Sequence, residues 1–290
     1  MQYYQSVKLP LKAGFTLIEL SIVLVIIGLI IGGVLVGRDL IDAASIRAQI
    51  SQIEKYNAAV NTFRGKYGYL PGDMPAALAS SFGMIVRSGA IGHGDGNGVI
   101  EGCSANATVA GCETLLFWTD LSSAKLIDGG FSSASDNLTQ MVWLGFGDED
   151  MMEADRFSFI SEAWAPPGLL SKDLLLPKAK IGRGNYLTVF SATGTNYFQI
   201  AGVVSTDTLG NYTLSNDLTP QQMFNIDSKT DDGLPLFGKV QAMEGTGPLN
   251  TQAVPGAATC AYNVGSPSPY NTSTSTLANT MLCQLRVNFN

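Results

Sequence analysis

The chain has 290 residues, a formal net charge of −7 and a charged fraction of only 14%. This acidic balance argues against a protein that neutralises nucleic-acid phosphates over its whole surface, because such proteins rely on clustered Lys and Arg. The hydrophobic fraction is 46%, and the apolar residues concentrate near the N-terminus. The rest of the chain therefore has the composition of an ordinary folded domain. We therefore expect one apolar helix and one globular head.

The first predicted element is an apolar helix over residues 15–36. About 20 apolar residues are needed for a helix to cross the hydrocarbon core of a membrane. Residues 1–14 form a short polar leader, and its Lys8 and Lys12 favour an N-terminus on the cytoplasmic side. A secretory signal peptide has its small residues after the apolar segment, whereas Gly14 stands before it. Cleavage after Gly14 would therefore leave the apolar helix on the mature protein.

The sequence KAGFTLIEL resembles the cleavage site of type IV prepilins and of type II secretion pseudopilins. The resemblance implies that prepilin peptidase cuts after Gly14, and that Phe15 becomes an N-methylated first residue. It also implies that Glu19 pairs with the terminal amine of a neighbouring subunit during assembly. A carboxylate inside a membrane helix is costly without such a partner. The alternative is a plain single-pass anchor with a solvated Glu19, but the order of these residues favours a pilin.

The helix is predicted to continue beyond the membrane. Apolar residues recur at spacings of three and four between Arg38 and Phe63, without any proline, as an amphipathic helix requires. We expect a helix over residues 15–66, with a membrane-spanning first half that lines a filament core, and a head over residues 67–290. The resemblance implies an α+β, pilin-like fold in which this helix packs on a head with a small antiparallel β-sheet.

The head is predicted to contain short elements separated by turns. Local patterns of apolar spacing, helix capping and β-branched residues define them. The expected elements are a short helix around residues 115–126, a β-hairpin over 184–204, a helix from Thr219 to about Asp227 and a final strand within 282–290.

The four cysteines are Cys103, Cys112, Cys260 and Cys283. They suit disulfides in an oxidising compartment, because no CxxC or neighbouring His provides the spacing of a zinc site. Three connectivities are open. We favour Cys103 with Cys112 and Cys260 with Cys283, because each bridge closes a short polar loop, and the second would close the loop 260–283. Buried free thiols are the alternative.

Two glycine-containing loops carry the oxygen ligands that calcium prefers. The candidate residues are Asp95, Asn97 and Glu101 in the first loop and Asp227, Asp231 and Asp232 in the second. The first loop is not an EF-hand, because His93 and Ser104 stand where that motif has Asp and Glu. In both loops a turn without metal is the favoured interpretation, and calcium is the one cofactor that the sequence suggests.

No catalytic motif is present. His93 is the single histidine, neither GxSxG nor HExxH occurs, and no cysteine has a plausible neighbouring base. We therefore expect no enzymatic activity. The resemblance implies a structural subunit of a type IV pilus or of a type II secretion pseudopilus.

The same resemblance implies the partners and the location. The partners would be copies of itself or other pilins, prepilin peptidase and an inner-membrane assembly platform. The subunit would lie in the inner membrane with its head in the periplasm, and later in a surface pilus or a periplasmic pseudopilus. The alternative is a pilin-like adhesin or a DNA-uptake minor pilin whose head binds a ligand. Arg183, Lys178 and Lys180 are the one modest candidate for contact with DNA.

Overall fold

The computed structural model describes most of the chain. The described residues are 16–85, 87, 92–102, 113–131, 172–182, 184–206, 212–244, 251–256, 258–262, 267–273 and 275–289. The chain divides into two compact units, Met1–Ala44 and Ser45–Asn290. Gly14, Phe15, Cys103, Cys112 and Arg183 lie outside the described residues, so the predictions that depend on them stay predictions.

Helix α1 runs from Leu17 to Tyr67 and begins in the first unit. Its large apolar side chains between Leu17 and Ile41 are exposed. Among the described residues it is the one helix long and apolar enough to cross a membrane, and its most apolar stretch has a mean hydropathy of 2.9. Exposing apolar surface to water costs about 25 cal/mol of free energy per Å². We therefore expect lipid or other apolar helices to cover this part of α1.

The part of α1 in the second unit has one buried face. Its buried side chains are Ile46, Gln49, Gln52, Ile53, Tyr56, Ala59, Val60 and Phe63. Their spacings of three and four residues place them on one side of a helix, as the sequence predicts. The helix ends at Tyr67 because Gly68 adopts a positive φ of 81°, which favours glycine.

Five further helices and six strands follow among the described residues. The helices are α2 (Ala76–Ser81), α3 (Glu113–Ser123), α4 (Lys172–Leu175), α5 (Pro220–Thr230) and α6 (Ser275–Ala278). The strands are β1 (Asn185–Ala192), β2 (Thr195–Thr206), β3 (Tyr212–Ser215), β4 (Val240–Glu244), β5 (Thr251–Gln252) and β6 (Gln284–Asn288).

The strands form one antiparallel sheet in the order β1-β2-β6-β4-β5, and β3 also pairs with β2. In the register, Phe198 of β2 lies opposite Val189 of β1 and Val287 of β6, and Val287 lies opposite Val240 of β4. Apolar residues therefore align across four strands and face the core. The last strand in sequence, β6, occupies the middle of the sheet.

Phe198 is also the centre of an aromatic cluster. Its ring centroid lies 4.4 Å from that of Phe289, 6.1 Å from that of Trp118 and 6.3 Å from that of Tyr56. These rings come from α1, α3, β2 and the residue after β6. Because buried aromatic rings contribute much of the energy of a core, the cluster fixes α1 and α3 of the second unit on the sheet.

The fold class and the main elements predicted from sequence are confirmed. The long N-terminal helix, the α+β class and the antiparallel sheet are all present. The predicted hairpin corresponds to β1 and β2, and the predicted final strand to β6. Helix α5 runs to Thr230, one turn beyond the predicted end at Asp227, because its C-cap residue, Asp231, donates its amide to the carbonyl of Asp227.

Candidate functional site

Thr16 and Glu19 cap the N-terminal end of α1. The Thr16 amide and the Thr16 hydroxyl donate to Glu19 Oε2 at 2.7 and 2.8 Å. In return, the Glu19 amide donates to Thr16 Oγ1 at 3.3 Å. This reciprocal pattern is a capping box, and it satisfies amides that the first turn of a helix leaves without partners. The Glu19 carboxylate is thereby held at the start of the helix, close in sequence to Phe15.

Glu19 is the one charged residue between Leu17 and Gly37. Its side chain is exposed, as are those of its neighbours Ile18 and Leu20. The positive end of the helix dipole favours a carboxylate at this position. Once the apolar surface of α1 is covered by lipid or other helices, this carboxylate is the one charge in the covered stretch and requires a cationic partner.

The first acidic loop contains a cluster whose inner members the sequence analysis missed. Carboxylate oxygens of Asp73, Asp95 and Glu113 lie within 4.8 Å of one another. Asp95 was a predicted candidate, and the side-chain Nδ2 of Asn97 donates to Asp95 Oδ2 at 2.9 Å and to Glu101 Oε2 at 3.3 Å. Asp73 comes from the turn after α1 and Glu113 from the start of α3, so no local spacing in the sequence could connect them.

The two inner carboxylates of this loop are buried and bind backbone amides. Each of their four oxygens accepts at least one hydrogen bond, at 2.8 to 3.1 Å. The donors are Gly96, Asn97 and Gly98 to Asp73, and Gly94 and Glu101 to Glu113. Every oxygen of the two buried carboxyl groups therefore has a hydrogen-bond partner, and we interpret this loop as a turn held by these groups.

Burial has a strong effect on the acidity of this cluster. It raises the pKa of Glu113 to about 8, although the amides of Glu101 and Gly94 act in the opposite direction. It also raises the pKa of Asp73 to about 6, against the amides of Gly98 and Gly96. Desolvation disfavours the charged form of a buried carboxyl group, so burial favours the protonated form of Glu113 near neutral pH.

The second acidic loop brings its three predicted residues together. Carboxylate oxygens of Asp227, Asp231 and Asp232 lie within 4.8 Å of one another. Asp227 is fully buried in the last turn of α5, and Asp231 and Asp232 follow it at the surface. Burial raises the pKa of Asp227 to about 6, and the charges of Asp232 and Asp231 add to this shift, while the Tyr270 hydroxyl and the Gly233 amide oppose it.

The loop 260–283 lies next to this acidic cluster. Cys260 and Cys283 form a disulfide with a Cα–Cα distance of 5.3 Å, which is the pairing preferred from sequence. The Tyr270 hydroxyl, from within this loop, donates to Asp227 Oδ2 at 2.8 Å. The disulfide therefore closes the loop just before β6, and the hydrogen bond attaches the loop to α5.

Residues 10–35 match the family model of the prokaryotic N-terminal methylation motif. This motif is the prepilin-type cleavage and methylation segment of type IV pilins and pseudopilins. The chain carries a prepilin N-terminus. No curated protein and no solved structure matches the chain, so the motif is the basis on which it is assigned to a class of proteins.

The matched segment contains Glu19 and the capping box that it forms with Thr16. The matched residues include Gly14, Phe15 and Glu19, and extend through most of the apolar stretch of α1. The motif supports a member of the type IV pilin and pseudopilin family and suggests a structural subunit. Thr16 was not among the predicted site residues, although a Thr three residues before a Glu is the signature of a capping box.

Proposed function

We propose that the chain is a structural subunit of a type IV pilus or of a type II secretion pseudopilus. Prepilin peptidase cleaves it after Gly14, and the mature subunit polymerises through α1. The observation that carries this proposal is the prepilin motif at residues 10–35 on a helix whose apolar side chains are exposed. The motif is compatible with a pilus and with a pseudopilus alike.

The exposed apolar surface of α1 supports assembly through this helix. In the membrane, lipid covers the helix before assembly; in a filament, the α1 helices of neighbouring subunits cover one another. Gly28, Gly32 and Gly33 have no atom within 4 Å of the position that a Cβ would take. Small residues let helices approach closely in an apolar medium, so these glycines suit contact with neighbouring helices.

Glu19 provides the specific element of this assembly. Cleavage after Gly14 creates a cationic amine on Phe15, and an unpaired cation is costly in an apolar bundle. The Glu19 carboxylate of a neighbouring subunit offsets that cost. The capping box keeps this carboxylate at the end of the helix where the new amine arises.

The alternative role, a pilin-like adhesin or a DNA-uptake minor pilin, requires a ligand for the head. The feature that favours this alternative is a groove of about 590 Å³. The lining of the groove includes Lys55, Lys178 and Lys180. However, Lys55 pairs with Asp128 at 2.5 Å and Lys178 with Asp173 at 2.8 Å. Two of these three cations are therefore neutralised, which makes the groove a poor match for DNA phosphates.

The proposal is tested by assembly in the cells that produce the protein. Glu19→Ala is expected to lose its leader normally but to abolish sheared or periplasmic filaments, detected with an antibody to the head. Glu54→Ala is the matched control, because Glu54 is an exposed acid on the same helix, and it should assemble normally. Normal filaments from Glu19→Ala would overturn the pairing role. Immunogold labelling of surface fibres would distinguish a pilus from a short pseudopilus.

A further inference from the structure

Asp227 has a buried oxygen that the described protein does not satisfy. The residue is fully buried, and its Oδ2 accepts a hydrogen bond from Tyr270. Its Oδ1 is buried as well and accepts no hydrogen bond of normal geometry from the described residues, although the Gly233 amide favours the charged form of this carboxyl group. An unsatisfied buried polar atom is costly, usually by 1–3 kcal/mol or more when it is charged. This oxygen therefore lacks a normal hydrogen-bond partner among the described residues.

Two exposed carboxylates, those of Asp231 and Asp232, lie close to the carboxylate of Asp227. Asp231 Oδ2 accepts from the amides of Lys239 and Val240, and Asp232 Oδ1 accepts from the Leu234 amide at 2.8 Å. These bonds hold both side chains in one orientation, before any ligand is bound. Such preorganisation reduces the entropy that binding would otherwise cost.

A glycine makes room for this convergence. Gly238 has a φ of 74°, and a Cβ at this position would lie 1.9 Å from Asp231 Oδ2 and 3.1 Å from Asp232 Oδ2. Both carboxylates thus face the same small space, which any side chain at residue 238 would fill. The space is lined by negative charge on one side and by a bare backbone on the other.

The charges of the three carboxylates are not compensated within the described protein. No Lys or Arg of the described ranges forms an ion pair with Asp227, Asp231 or Asp232. Three carboxylates within 4.8 Å repel one another, and an opposite charge between them would remove this repulsion. The first acidic loop differs, because backbone amides already satisfy its two buried carboxylates.

We propose that Asp227, Asp231 and Asp232 bind a divalent cation, and that this cation is calcium. The candidate ligand atoms are carboxylate oxygens. The two cysteines nearby, Cys260 and Cys283, are joined in a disulfide and so offer no thiolate ligand. Calcium accepts six to eight oxygen ligands in a flexible geometry, and the exposed position of Asp231 and Asp232 leaves access for water. Magnesium demands a stricter octahedron.

The cation would also stabilise the disulfide-closed loop. Asp227 would contact the ion through Oδ1, while its Oδ2 accepts the hydrogen bond from the Tyr270 hydroxyl. Tyr270 is buried, and the amide of the next residue, Asn271, donates to the Cys260 carbonyl at 2.9 Å. Calcium therefore links the end of α5 to the centre of the loop 260–283.

Calcium titration of the full chain in detergent micelles, after treatment with a chelator, tests the proposal. Isothermal titration calorimetry is expected to find a saturable calcium site, and calcium is expected to raise the melting temperature more than magnesium does. Asp232→Asn should weaken calcium binding at least tenfold, while its amide oxygen can still accept the hydrogen bond from Leu234. Glu54→Gln, which changes an exposed acid on α1, is the matched control and should bind like the wild type.

A second variant separates the two acidic loops. Asp95→Asn alters the first loop and should leave calcium binding unchanged. If calcium neither binds nor raises the melting temperature of the wild type, the proposal is wrong. It is equally wrong if Asp95→Asn loses binding while Asp232→Asn keeps it, because the ion would then lie in the first loop. Both outcomes are independent of filament assembly, so they leave the proposed structural role untouched.

Discussion

Arg87 and Asp120 form a bidentate ion pair in which neither side chain is exposed to solvent. Arg87 Nη2 donates to Asp120 Oδ1 at 2.7 Å, and Nη1 donates to Oδ2 at 2.9 Å. The Gly72 amide also donates to Oδ2 at 2.7 Å, and its carbonyl accepts from Arg87 Nη1 at 3.2 Å. The pair thus fastens the turn after α1 to α3, next to the first acidic loop.

Removing one partner of this pair should be strongly destabilising. Asp120→Asn leaves the Arg87 guanidinium buried without a countercharge, and we expect it to lower the free energy of unfolding by about 3–5 kcal/mol. Urea unfolding of the full chain in detergent, followed by tryptophan fluorescence, measures this change. Asp128→Asn, which removes the exposed partner of Lys55, should leave the free energy almost unchanged. Equal effects of the two substitutions would contradict the structural role of the buried pair.

Glu113 should make stability decrease with rising pH. Its pKa is about 8 in the folded chain and has a reference value of 4.5, so the folded chain holds a proton that the unfolded chain has released. Between pH 6.5 and 8 the free energy of unfolding should therefore fall, by up to about 1.4 kcal/mol per pH unit. Burial lowers the pKa of His93, which opposes this trend near pH 6.5, whereas Asp73 and Asp227, with pKa values raised to about 6, add to the trend at the same end of the window.

Denaturant unfolding at pH 6.5, 7.25 and 8 measures this slope. Glu113→Gln should flatten it, because glutamine does not titrate, even if the variant is less stable at every pH. Glu54→Gln should retain the slope of the wild type. A wild-type free energy of unfolding that is constant or rises across this window would show that Glu113 is ionised in the folded chain.

The disulfide between Cys260 and Cys283 should contribute to stability through the loop that it closes. The two cysteines are 23 residues apart, and a loop of this length corresponds to about 3 kcal/mol in the chain-entropy model. The double variant Cys260→Ser with Cys283→Ser should lose about this amount, and the loss should appear in urea unfolding without reductant. A variant as stable as the wild type would indicate that other contacts, such as that between Tyr270 and Asp227, suffice to hold the loop.

The elements with local signals could be predicted from the sequence. Residues close in sequence determine three of these features: the length and apolarity of the N-terminal helix, the hairpin of β1 and β2, and the capping box of α5. Thr219 and Gln222 form that box as their spacing predicts. The end of α5 was placed too early, because the bond from Asp231 to the Asp227 carbonyl is formed only when the turn is folded.

The inner residues of the first acidic loop could not be predicted in the same way. Asp73 and Glu113 come together only when the glycine-rich loop folds around them. Their hydrogen-bond donors are backbone amides, which no side-chain pattern encodes. The pair of Arg87 and Asp120 is likewise a contact between distant segments. In the second loop, by contrast, Asp227, Asp231 and Asp232 are close in sequence, so a local pattern sufficed to group them.

The most direct measurement for the proposed function is the mass of the mature N-terminus. The full chain is produced together with prepilin peptidase, and the activity of the peptidase is verified on another prepilin in the same cells. Mass spectrometry is expected to find a chain that begins at Phe15 with one methyl group on its amine. A chain that retains Met1 and the leader, while the other prepilin is processed, would contradict the assignment to the pilins and pseudopilins.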